Sequence, residues 1–217
     1  MRGPPLRCHG ISPSGLAWAI LLPKHSGTDT VSRMFREQLN VSTCEHKHES
    51  YTAPGEFVAI LAANPFRRVV SSAAWHSAIS GGRRPFPSTW SLEEESRRFR
   101  DFCHNNSTQW TAIKGATDML RNRTADFVAF TATLEADMVR LLARLGYPPV
   151  RIAKHHCVSS CQTTSRVVDS LPTARYDPRQ LFDQKCADTI RERFDADFRS
   201  FHFSLRVEDM LNTSLIA

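Results

Sequence analysis

Three short apolar runs interrupt an otherwise mixed chain: Leu16-Ala17-Trp18-Ala19-Ile20-Leu21-Leu22, Phe57-Val58-Ala59-Ile60-Leu61-Ala62-Ala63, and the run after Asp126, Phe127-Val128-Ala129-Phe130. They are continuous rather than alternating, the pattern of strands buried on both faces. The first leads through a loop of small and hydroxyl residues, Pro23-Lys24-His25-Ser26-Gly27-Thr28, into Val31, Met34, Phe35 and Leu39 at helical spacing. A polar linker, 40–56, carries Cys44-Glu45-His46-Lys47-His48-Glu49 and precedes the second run. Asn64-Pro65 then turns the chain, and a helix is predicted over 66–79, closed by Gly81-Gly82. The basic loop Arg83-Arg84-Pro85-Phe86-Pro87 reads as a lid or as a solvated loop.

Further along, Ser91-Leu92-Glu93-Glu94 forms a capping box opening a helix to about Cys103, and a second helix fits roughly 108–121. After the third run, Leu134, Met138, Leu141, Leu142 and Leu145 make an amphipathic stripe that stops at Gly146. A His/Cys/Ser-rich stretch, 150–172, has no regular period. Asp177-Pro178 then starts a last long helix with Leu181, Phe182, Ile190, Phe194, Phe198 and Phe201 as its buried stripe. No repeat is visible. Strands alternating with helices predict one α/β domain over residues 1–217, a parallel sheet flanked by helices, with ligands at the carboxyl ends of the strands.

Composition narrows the class. A chain of 217 residues, 41% hydrophobic and 23% charged, is long enough for a full core and too apolar to be disordered. No apolar run approaches the ~20 residues that a bilayer requires, so no transmembrane segment is expected in this chain. The 28 Lys and Arg against 22 Asp and Glu leave a net charge of +6, which favours an anionic partner. Nucleic acid is a poor candidate, since the arginine pairs Arg83-Arg84 and Arg97-Arg98 sit in no reader motif.

Compartment is addressed by the asparagines. Five of the six, Asn40, Asn105, Asn106, Asn122 and Asn212, open an N-x-[ST] acceptor, whereas 37 Ser and Thr in 217 residues would put about one there by chance. This favours a lumenal history over the cytoplasmic alternative. Six cysteines are too sparse for a disulfide scaffold and leave the redox environment open. Residues 16–22 lack a following small-residue cleavage site and are read as a buried strand rather than a signal segment.

Candidate chemistry centres on Lys24 to Thr30, where a strand end meets a helix start. Backbone N–H groups, the helix dipole, small residues and a lysine together make an oxyanion cradle. The order excludes a Walker loop, because the lysine stands three residues ahead of the glycine. Pro23-Lys24-x-Ser26-Gly27-Thr28 resembles the 5′-phosphosulfate loop of the sulfotransferases, and Asn64-Pro65-Phe66-Arg67-Arg68-Val69-Val70-Ser71 resembles their 3′-phosphate segment. The similarity, to the Golgi carbohydrate branch, extends over 126–146 and over 176–203, with its Tyr176-Asp177 and Asp197-Phe198-Arg199-Ser200-Phe201.

That resemblance implies a P-loop-like sulfotransferase fold with nucleotide-binding segments at 17–31 and 57–72. It implies transfer of a sulfuryl group from 3′-phosphoadenosine 5′-phosphosulfate to an acceptor hydroxyl, of an anionic glycan, in the Golgi lumen or secretory pathway, without a metal. By position, Lys24 would neutralise the bridging oxygen, Ser26, Gly27 and Thr28 would cradle the phosphosulfate, and Ser71 would hold the 3′-phosphate. The family's 3′ segment begins with an arginine where this chain has Ala63, so Arg67 or Arg68 must compensate or donor binding weakens. A catalytically degenerate nucleotide- or glycan-binding member is the alternative. An acceptor hydroxyl needs a base, and a neutral imidazole suits that task. His48, then His46, is the candidate, by similarity to the paired-histidine segment of heparan sulfate 2-O-sulfotransferases. Two loop histidines without a role, or a zinc site of Cys44, His46, Cys157 and Cys161, are the competing readings.

Overall fold

The computed structural model describes residues 6–24, 26–39, 43–46, 53–80, 91–104, 113–121, 123–150 and 177–210. They group into two compact units interleaved along the chain: Met1–Ala63 with Lys114–Lys154, and Asn64–Ile113 with His155–Ala217.

The first unit is built on a five-stranded sheet of order β3-β1-β2-β4-β5. Strands β2 (Ala17–Leu22), β4 (Phe57–Ala62) and β5 (Phe127–Phe130) arise from the three apolar runs and lie parallel. The sheet is mixed rather than wholly parallel, because β1 (Leu6–Ile11) and β3 (Thr43–His46) add an antiparallel side that the apolar pattern does not announce. In sequence both mix polar with apolar residues rather than forming an unbroken apolar run. Their pairing is carried instead by cross-strand groups: Cys8 stands opposite Cys44 in register and is disulfide-bonded to it, and His9 Nε2 lies 3.0 Å from Glu45 Oε1. Arg7, buried on β1, forms a 2.5 Å ion pair with Glu56, whose other oxygen accepts from the Ala53 amide 3.0 Å away.

One face of this sheet, with Trp18, Ile20, Leu22, Ala59, Leu61 and Ala129, packs against two helical segments. The first is α1 (Thr28–Arg33), continued by a π-helical turn over Met34–Gln38, and it contributes Val31, Met34 and Phe35. The second is the helix over Leu134–Arg144, which contributes Met138, Leu141 and Leu142. Leu21, Val58 and Ile60 on the opposite face are also fully buried, which is why β2 and β4 read as unbroken apolar runs.

The second unit is helical in its described residues. Asn64 caps α2 (Pro65–Ser80): its side-chain Oδ1 accepts from the Phe66 amide at 2.9 Å, its carbonyl accepts from the Arg68 amide, and Pro65 at the first helical position needs no partner for its missing N–H. Ser91 caps α3 (Leu92–His104) by accepting from the Glu94 amide at 3.2 Å, while the Glu94 carboxylate faces Arg98 instead of returning to the cap. In the first unit, the helix predicted over 108–121 is shorter than expected: of its described residues, 113–121, only Ala116–Leu120 (α4) are helical, because Gly115 is extended and starts the helix there, its amide donating to Asp118 at 2.7 Å. There α5 (Leu134–Arg144) buries Met138, Leu141 and Leu142 against the sheet and ends at Gly146, whose φ of +75° requires glycine.

The long final helix predicted from Asp177 is broken into three pieces. Asp177 opens a 3₁₀ turn (Pro178–Leu181), Asp183 caps α6 (Gln184–Arg193) by accepting from the Cys186 amide at 2.8 Å, and Phe194 separates α6 from α7 (Asp195–Ser200). Two aspartates bonding their own downstream amides compete with helix continuation. The apolar stripe still does its expected work, since Leu181, Ile190, Phe194 and Phe198 pack with Phe66, Val69 and Phe99 in one core. A disulfide joins Cys103 on α3 to Cys186 on α6. All four described cysteines are therefore paired.

Candidate functional site

The loop after β2 is shaped by three local causes. Thr28 Oγ1 donates to the Pro23 carbonyl at 2.8 Å and closes the loop on itself. Gly27 adopts φ +78°, a left-handed conformation that an L side chain would strain, and its carbonyl accepts from the Val31 amide at 3.2 Å to begin the helix. Ser26 is fully buried, and its hydroxyl has no hydrogen-bond partner among the described residues. Lys24, half-buried, stands at the loop's entrance. Because β2, β4 and β5 are parallel, the loop lies at their shared carboxyl edge.

A side chain that sequence reasoning missed organises this edge. Thr131, just after β5, places its hydroxyl 3.2 Å from the Ser26 carbonyl and 3.3 Å from that of Ala62, so one group links the ends of all three parallel strands. The turn bearing it is held by Asp137, fully buried on α5, which accepts from the Phe130 amide and the Thr133 hydroxyl at 2.7 Å each and pairs with Arg140. The sequence signal was present as Thr131-Ala132-Thr133 directly after an apolar strand, with an aspartate one helical turn beyond Thr133.

The segment expected to hold a 3′-phosphate, residues 64–71, lies on α2 and its cap in the second unit, and its two arginines part company. Arg68 is fully buried: its Nη1 is 3.0 Å from Asp197 Oδ2, and its guanidinium carbon sits 5.5 Å from the centre of the Phe194 ring. That places it in the core of the helical unit. Arg67 points outward and is exposed, and among the described residues no carboxylate pairs with it. Desolvation by the surrounding protein pulls its pKa below the ordinary value, yet a guanidinium stays charged at any physiological pH. Ser71 is half-buried one helical turn from Arg67, and the neighbouring Ser72 hydroxyl is buried without a partner among the described residues. Ala63 itself is buried at 6% exposure, so an arginine side chain has no ready room at that position. Of the two arginines, Arg67 is the one presented to solvent.

The paired histidines are reached only at their near end. His46 closes β3 opposite Leu6, and its side chain and all of His48 lie outside the described residues, as do His155, His156, Cys157, Cys161 and the 83–87 loop. Cys44 is bonded to Cys8, and a disulfide sulfur offers no thiolate to zinc. Among the described residues no three His, Cys, Asp or Glu side chains gather as a metal site, and no helix is long and apolar enough to cross a membrane.

Each unit thus presents its own candidate anion-binding element, a strand-end cradle in one and the first turns of α2 in the other. Comparison of the chain with protein-family models, with curated proteins and with solved structures finds no match.

Proposed function

We propose that the chain transfers a sulfuryl group from 3′-phosphoadenosine 5′-phosphosulfate to an acceptor hydroxyl, that of a carbohydrate. The observation that carries this reading is the buried Ser26 hydroxyl, unpartnered among the described residues, within a loop bent by Gly27 at the carboxyl ends of parallel strands. Buried hydroxyls without a partner are uncommon, and an oxygen of a bound phosphosulfate would accept from this one. The exposed cation Arg67, with Ser71 beside it, supports a second phosphate contact on α2.

In this reading the acceptor oxygen attacks sulfur while the bond from sulfur to the bridging phosphate oxygen breaks. Adenosine 3′,5′-bisphosphate leaves, and the acceptor's proton passes to His48, with His46 as its neighbour. Lys24 neutralises the charge that collects on the bridging oxygen. Sulfuryl transfer resembles phosphoryl transfer in needing mainly positioning and electrostatic stabilisation, which a lysine and a row of loop amides supply. The two disulfides support maturation in an oxidising compartment, the Golgi lumen or another part of the secretory pathway.

The test is transfer of labelled sulfate from the donor to a panel of glycans. Lys24→Ala should lose at least ~10²-fold in rate with an unchanged melting temperature, and Lys24→Arg should restore only part of it. Activity within about threefold of wild type in Lys24→Ala would remove the lysine from the mechanism. Ala63 in the motif arginine's place, together with the interior position of Arg68, favours one second reading, a binding module without turnover. That reading predicts bisphosphate binding with no transfer to any acceptor.

A further inference from the structure

We infer that Thr131 is a positioning residue of the strand-end cradle: it holds the Ser26 and Ala62 carbonyls back, so that the amides of the same two peptides face an oxyanion. The inference rests on the anion-binding reading of residues 24–28 given above, and it concerns a residue outside the motifs that suggested that reading.

A cradle made of backbone has to solve a problem of sign. Every peptide carries an acceptor beside its donor, and a carbonyl turned inward repels the anion that an amide attracts. The described peptides are trans, so C=O and N–H point in opposite directions and fixing one fixes the other. Two threonines do this. Thr28 Oγ1 donates to the Pro23 carbonyl at 2.8 Å, which turns the Lys24 amide away from Thr28. Thr131 Oγ1 lies 3.2 Å from the Ser26 carbonyl and 3.3 Å from the Ala62 carbonyl, sharing its single proton between them, which turns the Gly27 and Ala63 amides away from Thr131.

Thr131 is itself held in place. Asp137, fully buried, accepts from the Phe130 amide on one side of it and from the Thr133 hydroxyl on the other, at 2.7 Å each. A threonine that served only this turn would bond within it, as Thr133 does. Thr131 bonds instead to carbonyls 105 and 69 residues away in sequence. Its methyl group also lies against the bend in the loop, since a Cβ built on Gly27 would meet Thr131 Cγ2 at 4.0 Å. Hydroxyl and methyl thus approach the same two loop residues, Ser26 and Gly27, from one side.

The experiment uses the full chain, folded and well below its melting temperature. It pairs calorimetric titration with adenosine 3′,5′-bisphosphate with nitrogen-15 NMR spectra of the backbone amides. Thr131→Val keeps the branched shape and removes the hydroxyl; Thr131→Ser keeps the hydroxyl and removes the methyl group. Thr131→Val should weaken bisphosphate binding by about 3- to 10-fold and move the Gly27 amide resonance, whereas Thr131→Ser should bind within about twofold of wild type. A hydroxyl with a structural role alone would lower the melting temperature and leave the affinity of the folded chain unchanged, so wild-type affinity in Thr131→Val overturns the inference. Should Thr131→Val fail to fold, Thr131→Ala carries the same test with the same outcomes. A wild-type chain that binds no bisphosphate removes the nucleotide reading, and inorganic sulfate is then the probe. Sulfate that moves the Gly27 amide resonance in wild type, and less in Thr131→Val, supports the positioning role on its own; a Gly27 amide that responds to neither anion overturns it.

Discussion

Arg67 and Arg68 are adjacent in sequence and opposite in consequence. Neighbours on a helix are separated by about 100° around its axis, so one of the pair on α2 enters the core of the helical unit and the other is exposed. Truncating Arg68 strands the fully buried Asp197 carboxylate without its counter-charge. Arg68→Ala should therefore cost about 3–5 kcal/mol in stability, measured by chemical denaturation. Arg67→Ala should leave stability within ~0.5 kcal/mol and instead weaken adenosine 3′,5′-bisphosphate binding by about 10- to 150-fold, the loss of one charged hydrogen bond. Equal stability losses in the two variants would mean that the outward assignment of Arg67 is incorrect. The motif shows that two arginines follow Asn64-Pro65, but which one is available was not legible, because that depends on where Asp197 arrives from far along the chain.

At the scale of elements, the loop after β2 and the cap of α6 each make a separate prediction. Gly27→Ala has space for its new methyl group, since the nearest side-chain atoms are 3.8–4.0 Å away. Its cost is backbone strain at φ +78°, about 1–2 kcal/mol, and should appear in denaturation together with weaker nucleotide binding. Asp183 is an acid-sensitive cap. Burial pushes its carboxyl upward, but the Cys186 amide, the hydrogen bond and charge of His104, and the charge of Arg100 outweigh this and hold it below its ordinary value. A depressed folded pKa means that the stabilisation is full above the unfolded value and is lost as pH falls through the folded one. Asp183→Asn keeps a capping oxygen and removes the charge, so its melting temperature should fall less than that of wild type between ~pH 5 and pH 2. Identical acid profiles would show that this carboxylate contributes nothing to the pH dependence.

The elements also mark where sequence reasoning reached its limit. Strands β2, β4 and β5 were readable because burial on both faces forces unbroken apolar runs, and α5 because burial on one face forces a helical stripe. Strands β1 and β3 were not, since Arg7, His9, Thr43 and Glu45 are polar and their place in the sheet is secured by cross-strand pairs formed only in the fold. The final helix was drawn too long because its stripe persists across the breaks at Asp183 and Phe194. Lys24, Ser26, Gly27 and Thr28 stand where a small-residue loop after a strand was expected to stand. Thr131, which links the Ser26 and Ala62 carbonyls, belongs to the same edge and was legible only as a polar residue after a strand.

For the whole molecule, the central proposal is that the chain binds a nucleotide carrying both a 5′- and a 3′-phosphate. A ligand that binds only the native chain raises its melting temperature, which provides a readout free of any assumption about the acceptor. The most direct measurement is calorimetric titration of the full chain with adenosine 3′,5′-bisphosphate and, separately, with adenosine 5′-phosphate. The account predicts saturable binding of the bisphosphate, weaker binding of the monophosphate, and loss of that difference in Arg67→Ala. No binding of either nucleotide, or equal affinity for both in the wild-type chain, would contradict it.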